Sequence, residues 1–251
     1  MLLCIDVGNT QTVYGVFDGE WLVRSWRTKT DARATADELA LTVRGLVEGR
    51  PVTGLSVCST VPAVLRELRS MLTAYYSDLP AVVVGPGVRT GVPLMVDNPK
   101  EVGADRVVNS LAAHHLYGGP AVVVDFGTST SIDVVGAKGE FVGGALAPGI
   151  EISVDALTAR AAQLRKVELI QPRAAIGKNT VEALQSGVVF GFAGLVDGLV
   201  DRICTELGGD PAVIATGGLA PLVLGVAQTL QHHEPDLTLI GLRLVAEKNR
   251  D

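Results

Sequence analysis

Cysteine is scarce in this 251-residue chain: Cys4, Cys58 and Cys204 are scattered, with no Cys-x-x-Cys pair. Such spacing builds neither a zinc site nor a disulfide framework, and the three thiols read as small buried residues in a reducing compartment. Concentrated positive charge is missing too. Lys and Arg number 21 against 27 Asp and Glu, a formal charge of −6, and no basic run is longer than Arg165-Lys166. An acidic chain without a basic stripe argues against a nucleic-acid partner. No basic segment precedes the first apolar run, which Asp6 interrupts too early for a secretory signal. The longest unbroken apolar stretch, GVVFGFAGLV at 187–196, stops at Asp197, short of a bilayer span. The expectation is a soluble, cytoplasmic protein with no membrane partner. Aromatic residues make up only 4%, but 47% of the chain is hydrophobic, enough for one large core or two half-size ones.

Strand signals open the chain: LLCIDV, TVYGVF, a turn at Asp18-Gly19-Glu20, then WLVRSWRT, the pattern of an antiparallel meander. A helix should follow, opened by a capping box of Thr35 and Glu38 and carrying Leu39, Val43, Leu46 and Val47 on one face. GLSVCST reads as a short buried strand. Pro62 stands where a first-turn proline belongs, before a stripe of Leu65, Leu68, Leu72 and Tyr75. AVVVG at 81–85 reads as a strand. Residues 86–104 are rich in Pro and Gly and too long for a mere connection, and DRVVNSLAAHHLYG then forms a helix stopped by Gly118-Gly119.

At residue 121 the plan restarts. AVVVDFGTSTSIDVV repeats the opening order of apolar run, Asp, one residue, Gly, small polar residues, apolar run. After a turn at Ala137-Lys138-Gly139 come strand EFVGGAL, helices at about 150–165 and 180–207, strand AVIATGG, a helix from Leu219, strand LTLIG and a terminal helix. Each half reads β-β-β-α-(α)-β-α-β, an internal duplication dividing the chain into halves at 1–118 and 119–251.

A strand that ends in Asp and turns through Gly sets a carboxylate and open backbone N–H groups at one edge of a sheet, where an anion can approach unhindered by a Cβ. Thr10, Thr12, Thr128, Ser129 and Thr130 add hydroxyl donors. The carboxylates of Asp6 and Asp125 suit a hard ion such as Mg²⁺. One such turn alone is equally a hairpin with an Asx-type bond. Two copies in matching positions of a duplication point to a nucleotide cleft between the halves.

The duplicated halves with paired Asp-x-Gly turns resemble the actin, sugar-kinase and acetate-kinase superfamily, an α/β, ribonuclease H-like ATPase fold. Within it IDVGNTQTV at 5–13, DNPKEVGADR at 97–106, DFGTSTSIDVV at 125–135, GGALAPG at 143–149 and GKNT at 177–180 are similar to type III pantothenate kinase, in order and over a matching length. The resemblance implies a phosphotransferase that uses ATP to phosphorylate the 4′-hydroxyl of pantothenate, the first step to coenzyme A. It implies that Asp6, Val7, Gly8, Asn9, Thr10, Gln11, Thr12 and Val13 form the ATP phosphate turn, with Asp6 near Mg²⁺, and that Thr128 contacts ATP. It further implies that Gly103, Ala104, Asp105 and Arg106 bind pantothenate, with Asp105 the proton acceptor. Asp125 would ligate a monovalent cation, K⁺ or NH₄⁺. Thr180 would contact substrate from the other subunit of a homodimer with shared active sites.

The chemistry of the residues is compatible. Phosphoryl transfer needs positioning, charge neutralisation and one base. Asp105 begins a helix, where the dipole stabilises a carboxylate, though a plain helix cap would sit there too. Arg106 could clamp a carboxylate or form a surface ion pair. Val96 stands where many relatives have a tyrosine that lines the pantothenate pocket. Adjacent His114-His115 and His232-His233 do not make metal sites. Gly187, Gly191, Gly194 and Gly198 line one helix and mark close helix–helix or helix–sheet approach. Gly217-Gly218 suits either an adenine-side turn or an ordinary strand–helix connection. Competing with the kinase are a non-catalytic accessory or regulatory protein of the same family, and another phosphotransferase or phosphatase of the superfamily. Asp6, Asp105, Arg106 and Asp125, all present, favour the enzyme, because a relic has no need of the base.

Overall fold

The computed structural model describes residues 1–161 and 167–250. It divides into two compact units, one of Met1–Val92, Asp97–Ala112 and Asp236–Asp251, the other of Pro93–Val96 and Ala113–Pro235.

The first unit is built on strands β1 (Leu2–Val7), β2 (Gln11–Asp18), β3 (Trp21–Lys29), β4 (Gly54–Ser59) and β5 (Ala81–Val83), in the order β3-β2-β1-β4-β5. β1 to β3 form the antiparallel meander, and β4 and β5 add in parallel. Helices α1 (Ala36–Val47) and α2 (Pro62–Tyr75) are the parallel crossovers. The expected capping box is there: Glu38 N–H donates to Thr35 Oγ1 at 3.4 Å, and Thr35 N–H to Glu38 Oε2 at 2.8 Å. Pro62 takes the first helical position of α2. Leu39, Val43, Val64, Leu68 and Met71 form a core with Leu3, Ile5, Val7, Leu55 and Val57, the odd-numbered face of β1 and β4.

The even-numbered face of β1 and β4 carries Cys4, Asp6, Ser56 and Cys58. Helix α7 (Leu237–Lys248) packs on β1 and β4 and leans Leu239 against Gly15, where a Cβ would lie 2.7 Å from Leu239 Cδ1. Here the sequence reading is corrected: the strand expected in LTLIG, 237–241, is the first part of this helix. Leu237, Leu239, Gly241, Leu242, Leu244 and Val245 are all buried, so the segment lacks the polar stripe that separates a helix from a buried strand. The last strand of the second half is instead the two-residue β10 (His232–His233).

The second unit repeats the design. Strands β6 (Ala121–Phe126), β7 (Ser129–Val135), β8 (Phe141–Pro148), β9 (Ala212–Thr216) and β10 take the order β10-β9-β6-β7-β8, antiparallel from β8 to β6 and parallel beyond. The internal duplication is therefore present as two sheets of one topology. Helix α4 (Ile150–Arg160) is shorter than expected, and residues 162–165 of that expected helix lie outside the described residues. Helix α5 (Thr180–Leu207) runs 28 residues. Leu184, Val188, Val196 and Val200 of α5 join Val122, Val124, Ile132 and Ala215 in the second core, and the four-residue α6 (Ala220–Val223) closes it.

Candidate functional site

In the first unit, Asp6 lies at the end of β1, one residue before the turn. Gly8 N–H donates to Gln11 C=O at 3.0 Å and closes the hairpin. A second layer holds the turn from behind: Thr30 Oγ1 donates to Gly8 C=O at 2.8 Å and pairs with Thr12 Oγ1 at 2.9 Å. Val7 and Thr12 are buried by this arrangement and Val13 is half-buried opposite Asp6, while Asn9, Thr10 and Gln11 are exposed at the tip.

Asp6 has a neighbour that the sequence reading missed. Cys58 is its register partner on β4, and the Cys58 thiol donates to Asp6 Oδ1 at 3.2 Å. Burial pushes the Asp6 carboxyl up to about 7; the thiol bond opposes this and the charge of Asp105 adds to it. Asp105, 99 residues away in sequence, thus raises the Asp6 carboxyl within a single unit.

Asp105 is in the first turn of α3 (Ala104–Tyr117), after a short 3₁₀ turn at Pro99–Glu101. Its Oδ1 accepts from the backbone N–H of Arg106 at 2.9 Å. Gly103 supplies the space: a side chain there would collide with Asp105 Oδ1. Burial is the largest influence on Asp105 and raises its carboxyl, against the lowering effect of the Arg106 N–H and guanidinium. Helix α3 is held by α7, since Thr238 Oγ1 donates to Asn109 Oδ1 at 2.8 Å and a side chain at Gly241 would collide with the Val108 carbonyl. The order Gly103-Ala104-Asp105-Arg106 is thereby explained locally as room, helix start, carboxylate and hydrogen-bond donor.

In the second unit, Asp125 occupies on β6 the place that Asp6 has on β1. Its register partners are Ser131 on β7 and Thr216 on β9, so hydroxyl side chains flank it on both strands. Ser131 Oγ donates in turn to the buried Asp133 at 3.2 Å. Thr128 is exposed in the turn, and its C=O accepts from Gly149 N–H at 3.1 Å. Gly217, at φ +90°, approaches so closely that a Cβ would lie 2.5 Å from Asp125 Oδ1. Val96 lies half-buried beside Gly143. Among the described residues no group of three or more His, Cys, Asp or Glu side chains is arranged to hold a metal.

GKNT starts α5. Asn179 is its N-cap, accepting from Glu182 N–H at 2.9 Å, and Lys178 N–H donates to Glu182 Oε2 at 2.9 Å. Thr180 follows the cap, exposed, with Ile176 and Val181 exposed beside it at 75% and 46%. The glycine line on α5 faces outward: at Gly187, Gly191 and Gly194 a Cβ would meet nothing within 4 Å. The close approach expected for these three glycines is not made by the described residues.

Residues 2–202 match the family model of type III pantothenate kinase. A type III pantothenate kinase of Frankia alni is 68% identical over 249 residues, 99% of this chain and 100% of that protein. One from Streptomyces avermitilis is 62% identical over 261 residues, covering 99% and 98%. In fold, the chain is similar to the inorganic polyphosphate/ATP-glucomannokinase of Arthrobacter sp. strain KM, with a TM-score of 0.54, 16% identity and 99% coverage of both.

Proposed function

The chain belongs to the type III pantothenate kinase family, and from that premise we propose how its residues carry the ATP-dependent phosphorylation of pantothenate that opens coenzyme A synthesis. The observation that carries the reading is the pair formed by Asp6 at the first turn and Asp105 in the substrate block, close enough that the charge of Asp105 raises the Asp6 carboxyl. A phosphate-binding turn and a half-buried carboxylate in one unit are the two things a kinase must bring together.

In this reading residues 6–13 receive the ATP phosphates, with backbone N–H groups at the turn as donors and Thr128 as a further nucleotide contact. Gly103 to Arg106 receive pantothenate, and the Arg106 guanidinium holds its carboxylate. Asp105 accepts the proton of the 4′-hydroxyl as that oxygen attacks the γ-phosphorus, and ADP departs. Burial raises its carboxyl, which makes its ionised form a stronger proton acceptor. Asp6, a carboxylate beside a second carboxylate, is a fitting oxygen ligand for Mg²⁺, which neutralises phosphate charge when bound. Asp125 with Ser131 and Thr216 offers an all-oxygen set that suits a monovalent cation.

We assign the working unit as a cytoplasmic homodimer in which Thr180 of one chain completes the site of the other. Support comes from the outward glycine face of α5 and from exposed Ile176 and Val181 around Thr180. A helix with exposed glycines and apolar neighbours is one that a two-fold partner can cover at short range.

ADP release, assayed with and without pantothenate, tests the reading. Release should require pantothenate, and at fixed ionic strength it should be faster in K⁺ or NH₄⁺ than in Na⁺ or Tris. Pantothenate-independent release would overturn the substrate assignment, and equal rates in all four ions the cation assignment.

A further inference from the structure

We propose that Cys58 is a positioning residue for Asp6, its thiol bond fixing the carboxylate of the phosphate turn for turnover. The inference rests on the assignment of Asp6 to that turn.

The strand register brings the two together. β1 and β4 run parallel with Asp6 opposite Cys58, and Cys58 Sγ lies 3.2 Å from Asp6 Oδ1. The bond ties Oδ1 to the protein and so restrains the orientation of the carboxylate. Cys58 is fully buried, which removes it from the solution chemistry of exposed thiols.

Packing alone does not require a donor there. Leu55 and Val57 fill the other face of the same strand with plain hydrocarbon, and alanine or valine would serve as β4 filler. The second sheet repeats the choice: opposite Asp125, the equivalent position on β9 is Thr216, 3% exposed and again able to donate. A donor beside the turn carboxylate is thus present in both halves, as different residue types. A half-buried carboxylate stripped of its donor is left to reorient, which removes the oriented edge.

The full-length enzyme tests this with Cys58→Ala, Cys58→Ser, Asp6→Asn and the double variant Asp6→Asn/Cys58→Ala. Steady-state kinetics give kcat and both KM values, and calorimetry gives ATP affinity in the absence of pantothenate. Cys58→Ala should lose tenfold or more in kcat with the KM for pantothenate within twofold of wild type. Cys58→Ser, which restores a donor, should stay within threefold of wild type. In the Asp6→Asn background, Cys58→Ala should change ATP affinity no further, the non-additivity of a coupled pair. Wild-type kcat in Cys58→Ala, an equal fall in Cys58→Ser, or full additivity in the double variant would overturn the proposal. If Cys58→Ala does not fold, the near-isosteric pair Cys58→Thr and Cys58→Val gives the same comparison with and without a donor. Intact turnover in Asp6→Asn would instead remove Asp6 from the phosphate turn, a result distinguishable from failure of the Cys58 link.

Discussion

The backbone N–H of Arg106 donates to Asp105 Oδ1 at 2.9 Å, so the carboxylate folds back over the first turn of its own helix. That pose depends on the missing side chain at Gly103, where a Cβ would fall on the same oxygen. Gly103→Ala should therefore displace the carboxylate while sparing the core. Kinetics should show kcat lowered on the order of 10–100-fold, and thermal unfolding should move little. A wild-type kcat in a folded Gly103→Ala enzyme would mean that this pose is not the working one.

Asp6 gives a pH dependence of definite sign. Its carboxyl is raised from 3.8 to about 7, mainly by burial, so the folded protein holds that proton more tightly than the unfolded chain does. The stability this contributes is complete below 3.8 and is lost as pH rises through about 7. Asp6→Asn, which never ionises, should raise Tm over wild type at pH 8 and lose that advantage by pH 4. Activity should run the other way, because the ionised form is the proposed Mg²⁺ ligand: kcat/KM should fall as pH drops from 8 to 6. A Tm advantage independent of pH, or a flat kcat/KM across that range, would contradict the assignment.

Much of this was legible in the sequence because local signals and the fold agree. Thr35 and Glu38 cap α1, Pro62 opens α2, and Gly118 ends α3 with φ +77° where each was expected. The repeated Asp-x-Gly order was enough to expect two sheets of one topology. Leu237–Gly241 reads as a strand in the sequence because the helix it starts has no exposed residue among its first five to mark a helical period. Cys58 reads in the sequence only as a small buried residue: its contact with Asp6 comes from the β1–β4 register, which pairs it with a residue 52 positions away. In GKNT the cap is Asn179, which leaves the Thr180 side chain exposed just after it.

The dimer assignment predicts complementation between two inactive variants, Asp105→Asn and Thr180→Arg. Neither touches the α5 cap at Asn179. After subunit exchange, a mixed dimer with shared sites carries one doubly damaged site and one with both native residues. Random pairing makes about half the dimers mixed, so roughly a quarter of all sites should recover. No recovery, with exchange verified by native mass spectrometry, would place Thr180 in the same chain's site or in none.

The central claim is that Asp105 takes the proton as pantothenate is phosphorylated. The most direct measurement follows 4′-phosphopantothenate by mass spectrometry in single-turnover reactions of the wild type and Asp105→Asn, with ATP affinity measured in parallel by calorimetry. The wild type should form product, Asp105→Asn should form it at a rate lower on the order of 10²–10⁴-fold, and ATP affinity should be unchanged. Product formed by Asp105→Asn at the wild-type rate would contradict it.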